Sequence, residues 1–396
     1  MIFSKLAILI WPGWATHIAG TIGIFTGLLG IGFLIGFHEL GHFLFAKIFQ
    51  VDTPVFSIGF GPRILTKKIG NTEFSLSAIP LGGYVQMAGM GEGAEEQAGT
   101  RSSFSFAAKP FYQKLLIMSG GILFNLLFAY LMLIIVFMVG MPQSRFTYPL
   151  NATTVIEMVG TDTPAQKAGV LTGDKIESLN GKNIDSGALF YQEMKGLANK
   201  TVMLGIERNG ERKQIELTPL ARKFMGMDIG FTGIMLKDAP LAPQSLSNAI
   251  KNGINLTNKF IHSTLISFKY IMTKLDIGSM AGPLTIITES GKESRSGFSN
   301  FFIFLAIISI NLAILNLIPL PILDGGQILF YSIEALIGRS VATRIKEYIF
   351  IATWIFFLLL FIYLTYKDFV RIMESCGLNF KCFKDYIASF FTKLSK

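Results

Sequence analysis

Two of the chain's four histidines stand in one five-residue window, His38-Glu39-Leu40-Gly41-His42. On a helix, residues i and i+4 share a face one turn apart, so both imidazoles can reach one metal ion. Glu39 follows the first histidine by one residue, where a carboxylate is placed to act on metal-activated water rather than to bind the metal. The plainer reading is a satisfied pair of buried histidines. Position argues against it, because the window closes a run (residues 6–38) that contains no Asp, Glu, Lys or Arg. Ionisable groups at the end of such a run are costly unless they serve a function. The spacing therefore predicts a metal site.

A catalytic zinc centre takes three protein ligands and keeps a fourth position open. Asp324 is the outstanding third candidate. It ends another uncharged run, in Asn316-Leu-Ile-Pro-Leu-Pro-Ile-Leu-Asp324-Gly-Gly326. Pro319 and Pro321 break the helix there, and backbone broken at membrane depth is tolerated only where it lines a protein cavity. His17 and His262 compete for the role. His17 lies about six helical turns before His38, and His262 belongs to an amphipathic stretch, so a structural role suits each better.

The elements that must position these residues follow from charge. Only 15% of the 396 residues are charged and 51% are hydrophobic, against about 25% charged in ordinary soluble domains. Mean hydropathy is +0.50. Uncharged runs cover residues 6–38, 115–144, 296–323 and 348–366, and each can span a bilayer at about 20 residues per crossing. This excludes a soluble enzyme, a disordered chain and a fibrous protein. The net charge of +9 lacks the aromatic-basic interleaving of a nucleic-acid groove. It is read instead as basic flanks touching anionic lipid, with no nucleic-acid partner.

Residues 1–50 are read as a retained first transmembrane helix carrying the His-Glu pair. Glycines such as Gly32 and Gly36 would admit a neighbouring helix backbone. Residues 51–113 form a connection, and the basic residues in and bordering it over 47–114 (Lys47, Arg63, Lys67, Lys68, Arg101, Lys109 and Lys114, against Lys5 before the first span) place it in the cytoplasm. Within it, 54–90 reads as short strands with a turn at Gly70-Asn71, a partly open sheet able to accept an extended chain at its edge. A second span covers 114–144.

Residues 150–236 read as a compact α+β module. Thr163-Pro164 suits a helix start, Gly169 a helix end, and Asn180-Gly181 and Asn209-Gly210 suit hairpin turns. An amphipathic interfacial segment (237–295), a third span (296–326), a fourth (346–367) and a basic amphipathic tail (368–396) complete the reading. Span counting puts the tail outside and charge counting puts it inside. Cys376 and Cys382 are too few for a disulfide framework or a cysteine metal site, and their pairing would require an extracytoplasmic tail.

His38-Glu-Leu-Gly-His42 together with Asn316–Gly326 strongly resembles the site-2 protease family of intramembrane zinc metalloproteases. The second stretch fits that family's Asn-x-x-Pro-x-Pro-x-Leu-Asp-Gly pattern at every fixed position. Phe56-Ser-Ile-Gly-Phe-Gly-Pro62 and Ile79–Met87 look like its membrane-associated β segment, and Gly120-Gly-Ile-Leu-Phe-Asn125 like the motif of its second span. Thr163–Asp174 looks like the PDZ domain of its bacterial members, and Ala281–Ile286 like the segment before its third span. The likeness covers nearly the whole chain and is nearest the bacterial branch that includes the regulator of sigma-E protease. That branch's familiar members carry two PDZ domains in tandem, whereas this chain has room for one.

The resemblance implies a polytopic α-helical membrane protein of about four transmembrane helices, with a membrane-associated β segment and an inserted α+β PDZ-like domain. It implies a Zn2+-dependent endopeptidase with His38, His42 and Asp324 as ligands and Glu39 as general base. Asn316, Asn125, Gly82 and Gly83 are candidates for holding unwound substrate; for Asn125, bonding between helices is an equal alternative. The implied substrates are single-span membrane proteins, such as anti-sigma factors or remnant signal peptides, cut after prior trimming. The implied location is the bacterial inner membrane, with the PDZ-like domain extracytoplasmic and membrane lipid as a further partner. The competing readings are a membrane-anchored zincin acting in a soluble compartment and a non-catalytic PDZ scaffold or transporter.

Overall fold

The computed structural model describes residues 2–90, 103–224, 227–339 and 341–375. Cys376, Cys382 and the rest of the tail beyond Ser375 lie outside the described residues. Along the chain, α1 (Ile2–Ile48) leads into strands β1 (Val55–Ile69) and β2 (Thr72–Gln86), then α2 (Phe111–Val139). Next come β3 (Ala152–Val159), α3 (Pro164–Lys167), β4 (Lys175–Leu179) and α4 (Gly187–Met194). Strands β5 (Val202–Arg208), β6 (Glu211–Leu217), β7 (Leu220–Phe224), β8 (Met227–Phe231) and β9 (Ile234–Asp238) follow. Helices α5 (Leu246–Lys274), α6 (Pro283–Arg295), α7 (Phe298–Asn316), α8 (Asp324–Ile337) and α9 (Thr343–Ser375) complete the order.

Among the described residues, four helices are long and apolar enough to cross a membrane: Ile22–Ile48, Phe111–Val139, Phe298–Asn316 and Arg344–Met373. The chain divides into two units, residues 1–131 with 276–396, and residues 132–275.

In the first unit, small residues let helices meet. A Cβ on Gly23 or Gly27 would stand 2.7 or 2.9 Å from the backbone of Gly291 on α6, and one on Gly30 would strike Phe301 of α7. Such close approach replaces the hydrophobic drive that lipid removes. Gly32 and Gly36, expected to receive a helix, instead admit the β segment: their added Cβ atoms would meet Pro80 and Ile58. The stretch expected as one interfacial segment (237–295) is divided. Its second part, α6, packs on α1, because Gly291 and Ser290 fit the glycine face of that helix.

The β segment is folded back on itself. Val55 has both Glu73 and Gln86 as partners, and Ile58 has both Leu76 and Gly83. Residues 55–58 are thus flanked by 73–76 and 83–86, while 65–69 pair along 72–76 across the turn at Gly70-Asn71. Residues 83–86 form an edge whose sheet partner is 55–58. The third uncharged run also differs from the expectation of one segment through residue 326. Its helix stops at Asn316, and Asp324 opens α8. Two prolines within three residues remove backbone donors and forbid helical continuation.

The second unit holds the soluble-looking module. Its sheet runs β9-β3-β4-β5-β6, with residues 182–183 pairing on β4 and a separate β7–β8 hairpin. Thr163 caps α3 with Pro164 at its first position. Asn180-Gly181 and Asn209-Gly210 take positive φ at both turn residues, the conformation two-residue hairpins require. Phe190 and Met194 of α4 pack with Ile156, Leu204, Ile206 and Leu236 in one core.

Candidate metal centre

His38 and His42 face the same side of α1 because one helical turn separates them, and both are buried at 8% and 5% exposure. Their Nε2 atoms lie 3.2 Å apart. Asp324 sends Oδ2 to 3.2 Å from His38 Nε2 and 3.4 Å from His42 Nε2. Among the described residues these three form the one group of His, Cys, Asp and Glu whose donor atoms could hold a metal ion. Ligands about 2.0–2.1 Å from a tetrahedral zinc stand about 3.3 Å from one another, so the spacing fits that ion. Asp324 Oδ2 is buried and faces the two histidine Nε2 atoms, as a metal ligand would.

Asp324 owes its place to the broken link before it. Leu320 N–H donates to Ile318, Leu323 N–H to Leu320, and the Gln327 side chain to the Pro321 carbonyl. Gly325 and Gly326 press against this link, where added Cβ atoms would stand 2.4 Å from the Leu317 carbonyl oxygen and 2.1 Å from that of Leu320. Asp324 sits in the first turn of α8, where the helix dipole favours an anion.

Helix α2 builds the opposite wall. Gly41 and Gly120 bring α1 and α2 together, since a Cβ on Gly41 would lie 2.2 Å from the Gly120 carbonyl oxygen. One residue on, a Cβ on Gly121 would stand 2.4 Å from both His38 Cε1 and His42 Nε2. His42 Nδ1 donates to the Ile117 carbonyl at 2.9 Å, which leaves Nε2 a free lone pair for a metal. In the sequence, Gly120 and Gly121 stand out only as part of a motif. Their signal was the glycine pair in an apolar span, and its meaning needs the facing helix.

The remaining sequence-predicted residues separate by role. Glu39 receives a hydrogen bond from the Val85 backbone N–H, and a Cβ on Gly83 would stand 3.0 Å from Glu39 Cγ. The edge strand at 83–86 thus lies directly against the glutamate. Gly82 sits beneath the Phe60 ring, which leaves no room for a side chain. Asn316 points Nδ2 to 3.5 Å from His38 Nε2. Asn125 is fully buried with its amide on His38 Nδ1 at 3.1 Å. It is joined to α7 through its backbone carbonyl, which accepts from Ser309 Oγ. His262 lies on α5 in the second unit, and the side chain of His17 is outside the described set.

The chain matches the model of peptidase family M50 over residues 26–361. The chain belongs to family M50. This M50 peptidase is 32% identical to a Campylobacter jejuni protein named provisionally as a zinc metalloprotease, across 87% of this chain and 93% of the relative. It is 26% identical to the zinc metalloprotease RasP of Geobacillus kaustophilus, across 87% and 97%. A Clostridium perfringens relative of similar provisional name shares 29% across 88% and 98%. Among solved structures, PDZ domains of SdrC-like proteins from Listeria monocytogenes and Listeria innocua match at 21% identity, each with a TM-score of 0.19. Both cover 22% of this chain and 87% or 96% of the matched domain. As an M50 member the chain is a zinc-dependent metallopeptidase, and His38-Glu39-x-x-His42 falls inside the matched region.

Proposed function

We propose that this M50 peptidase is an intramembrane endopeptidase, with His38, His42 and Asp324 holding its zinc and Glu39 as general base. One observation carries the reading: the three donor atoms converge at 3.2–3.4 Å, and both histidines lie on a helix apolar enough to cross a membrane. Bound there, zinc would supply Lewis acidity, bringing the pKa of water to about 7 and drawing charge from the scissile carbonyl.

The chain's own residues do the rest. Glu39 takes the proton from the attacking water and passes it to the leaving amine. The Val85 N–H orients its carboxylate. Asn316, beside the ligand atoms, offers amide donors to the carbonyl under attack. A helical substrate hides its peptide bonds in its own hydrogen bonds, so cleavage requires unwinding, and freed backbone groups need new partners inside a bilayer. The edge at 83–86 supplies them by strand addition, and Gly83, against Glu39 with no side chain of its own, brings the substrate chain beside the base.

On this reading the substrates are membrane-spanning segments of regulatory proteins such as anti-sigma factors, or remnant signal peptides. The seven basic residues in and bordering the connection, from Lys47 to Lys114, support a cytoplasmic connection in a bacterial inner membrane. The PDZ-like module then lies outside, filtering for substrates already trimmed. The test uses full-length wild type and Glu39→Gln with zinc in detergent, each given a fusion with one transmembrane helix and a soluble unstructured peptide. Wild type cuts the fusion and the variant does not. Equal cutting by both, or cutting of the soluble peptide alone, overturns the proposal.

A further inference from the structure

We propose that Asn125 is a positioning residue that sets which ring nitrogen of His38 carries the proton. The inference rests on His38 being a metal ligand. Three positions of α2 one turn apart, 117, 121 and 125, present a single face to the two histidines. Gly121 clears space for the rings, the Ile117 carbonyl accepts from His42 Nδ1, and Asn125 meets His38 Nδ1 at 3.1 Å. Each histidine therefore shows Nε2 to Asp324 and Nδ1 to α2.

The two outer partners differ in kind. A backbone carbonyl can only accept, so His42 is held with its proton on Nδ1. A carboxamide can accept or donate, and its two orientations fill the same space. With Nδ2 toward His38, the ring must accept at Nδ1 and carry its proton on Nε2, where it donates to Asp324. In that orientation Asn125 Oδ1 is buried without a hydrogen-bond partner. Turned over, Oδ1 accepts from Nδ1–H, the orphaned oxygen is satisfied, and Nε2 has a lone pair for the metal. Asn125 thereby serves both states of the site: Nδ2 inward when Nε2 holds a proton, Oδ1 inward when Nε2 holds zinc. Full burial keeps the amide at this one ring.

The test measures zinc affinity of the full-length protein by chelator competition, together with the visible spectrum of the cobalt-loaded protein. Asn125→Leu, which keeps the volume and removes the acceptor, weakens zinc by about 10–100-fold and shifts the cobalt bands. Asn125→Asp, an acceptor of the same shape, stays within about threefold of wild type. Ser309→Ala removes the α7 hydrogen bond to the Asn125 backbone carbonyl, which does not touch His38, and leaves zinc affinity unchanged. Wild-type affinity in Asn125→Leu, equal losses in the Leu and Asp variants, or a matching loss in Ser309→Ala would overturn the proposal. His38→Ala tests the ligand reading separately, since it abolishes stoichiometric zinc whatever Asn125 does.

Discussion

Gly121 faces His42 so closely that a single added carbon would stand 2.4 Å from Nε2, the atom turned toward Asp324. Helix propensity alone would favour alanine there by about 1 kcal/mol. The rings forbid it, since one cannot move without leaving the positions that converge on Asp324. Gly121→Ala is therefore expected to keep the fold and to lower peptidase activity by about 100-fold, the scale of a 1 Å misplacement. Zinc content measured beside activity checks this; normal values of both would show that the rings tolerate the methyl.

Glu39 and Asp324 should separate cleanly. Glu39→Gln removes the proposed base but none of the three converging donors, so zinc is expected to stay stoichiometric while kcat falls by about 10²–10⁴-fold. Asp324→Asn weakens the proposed third ligand, so zinc and activity are expected to fall together. Retention of full zinc and activity in Asp324→Asn would remove it from the site.

The contact between Gly83 and Glu39 predicts a third outcome. Valine at 83 drives a side chain into the 3.0 Å gap to Glu39 Cγ. Gly83→Val should leave zinc content unchanged and lower activity toward a transmembrane substrate by about tenfold or more. Steady-state rates on the fusion substrate, set against zinc content, decide it.

The PDZ-like module offers a pH test free of the metal. Asp174 is 1% exposed on its side chain, and Arg208 grips it with two nitrogens at 2.7 Å. Burial pushes the Asp174 carboxyl up, but the guanidinium and the Leu171 N–H outweigh it and hold the group below the usual carboxylate range. A depressed folded pKa stabilises above the unfolded value of about 3.9 and is lost as pH falls through the folded one. Thermal unfolding of the module should drop below about pH 4, and Asp174→Asn should flatten that dependence. An unchanged acid limb in the variant would show that other carboxylates set it.

Much of the module was legible because its signals are local. Thr163 before Pro164 and the Asn-Gly pairs at 180–181 and 209–210 dictate backbone angles within two or three residues. The pairing of β9 with β3 joins residues nearly 80 positions apart, and no local pattern announces it. The β segment shows the same limit. Its short strands and the turn at Gly70-Asn71 could be read, but the double pairing of 55–58 could not.

The metal centre divides along the same line. The relative placement of His38, Glu39 and His42 follows from the sequence alone, since one helical turn fixes their geometry whatever surrounds them. Asp324 was nominated by its prolines and glycines. Only the fold brought it within 3.4 Å of both rings across 282 residues from His42. The roles of Gly121, Ile117 and Asn125 belong wholly to the tertiary structure. A missing side chain, a backbone carbonyl and an amide acquire meaning from what another helix puts against them, and sequence carries no record of that facing surface.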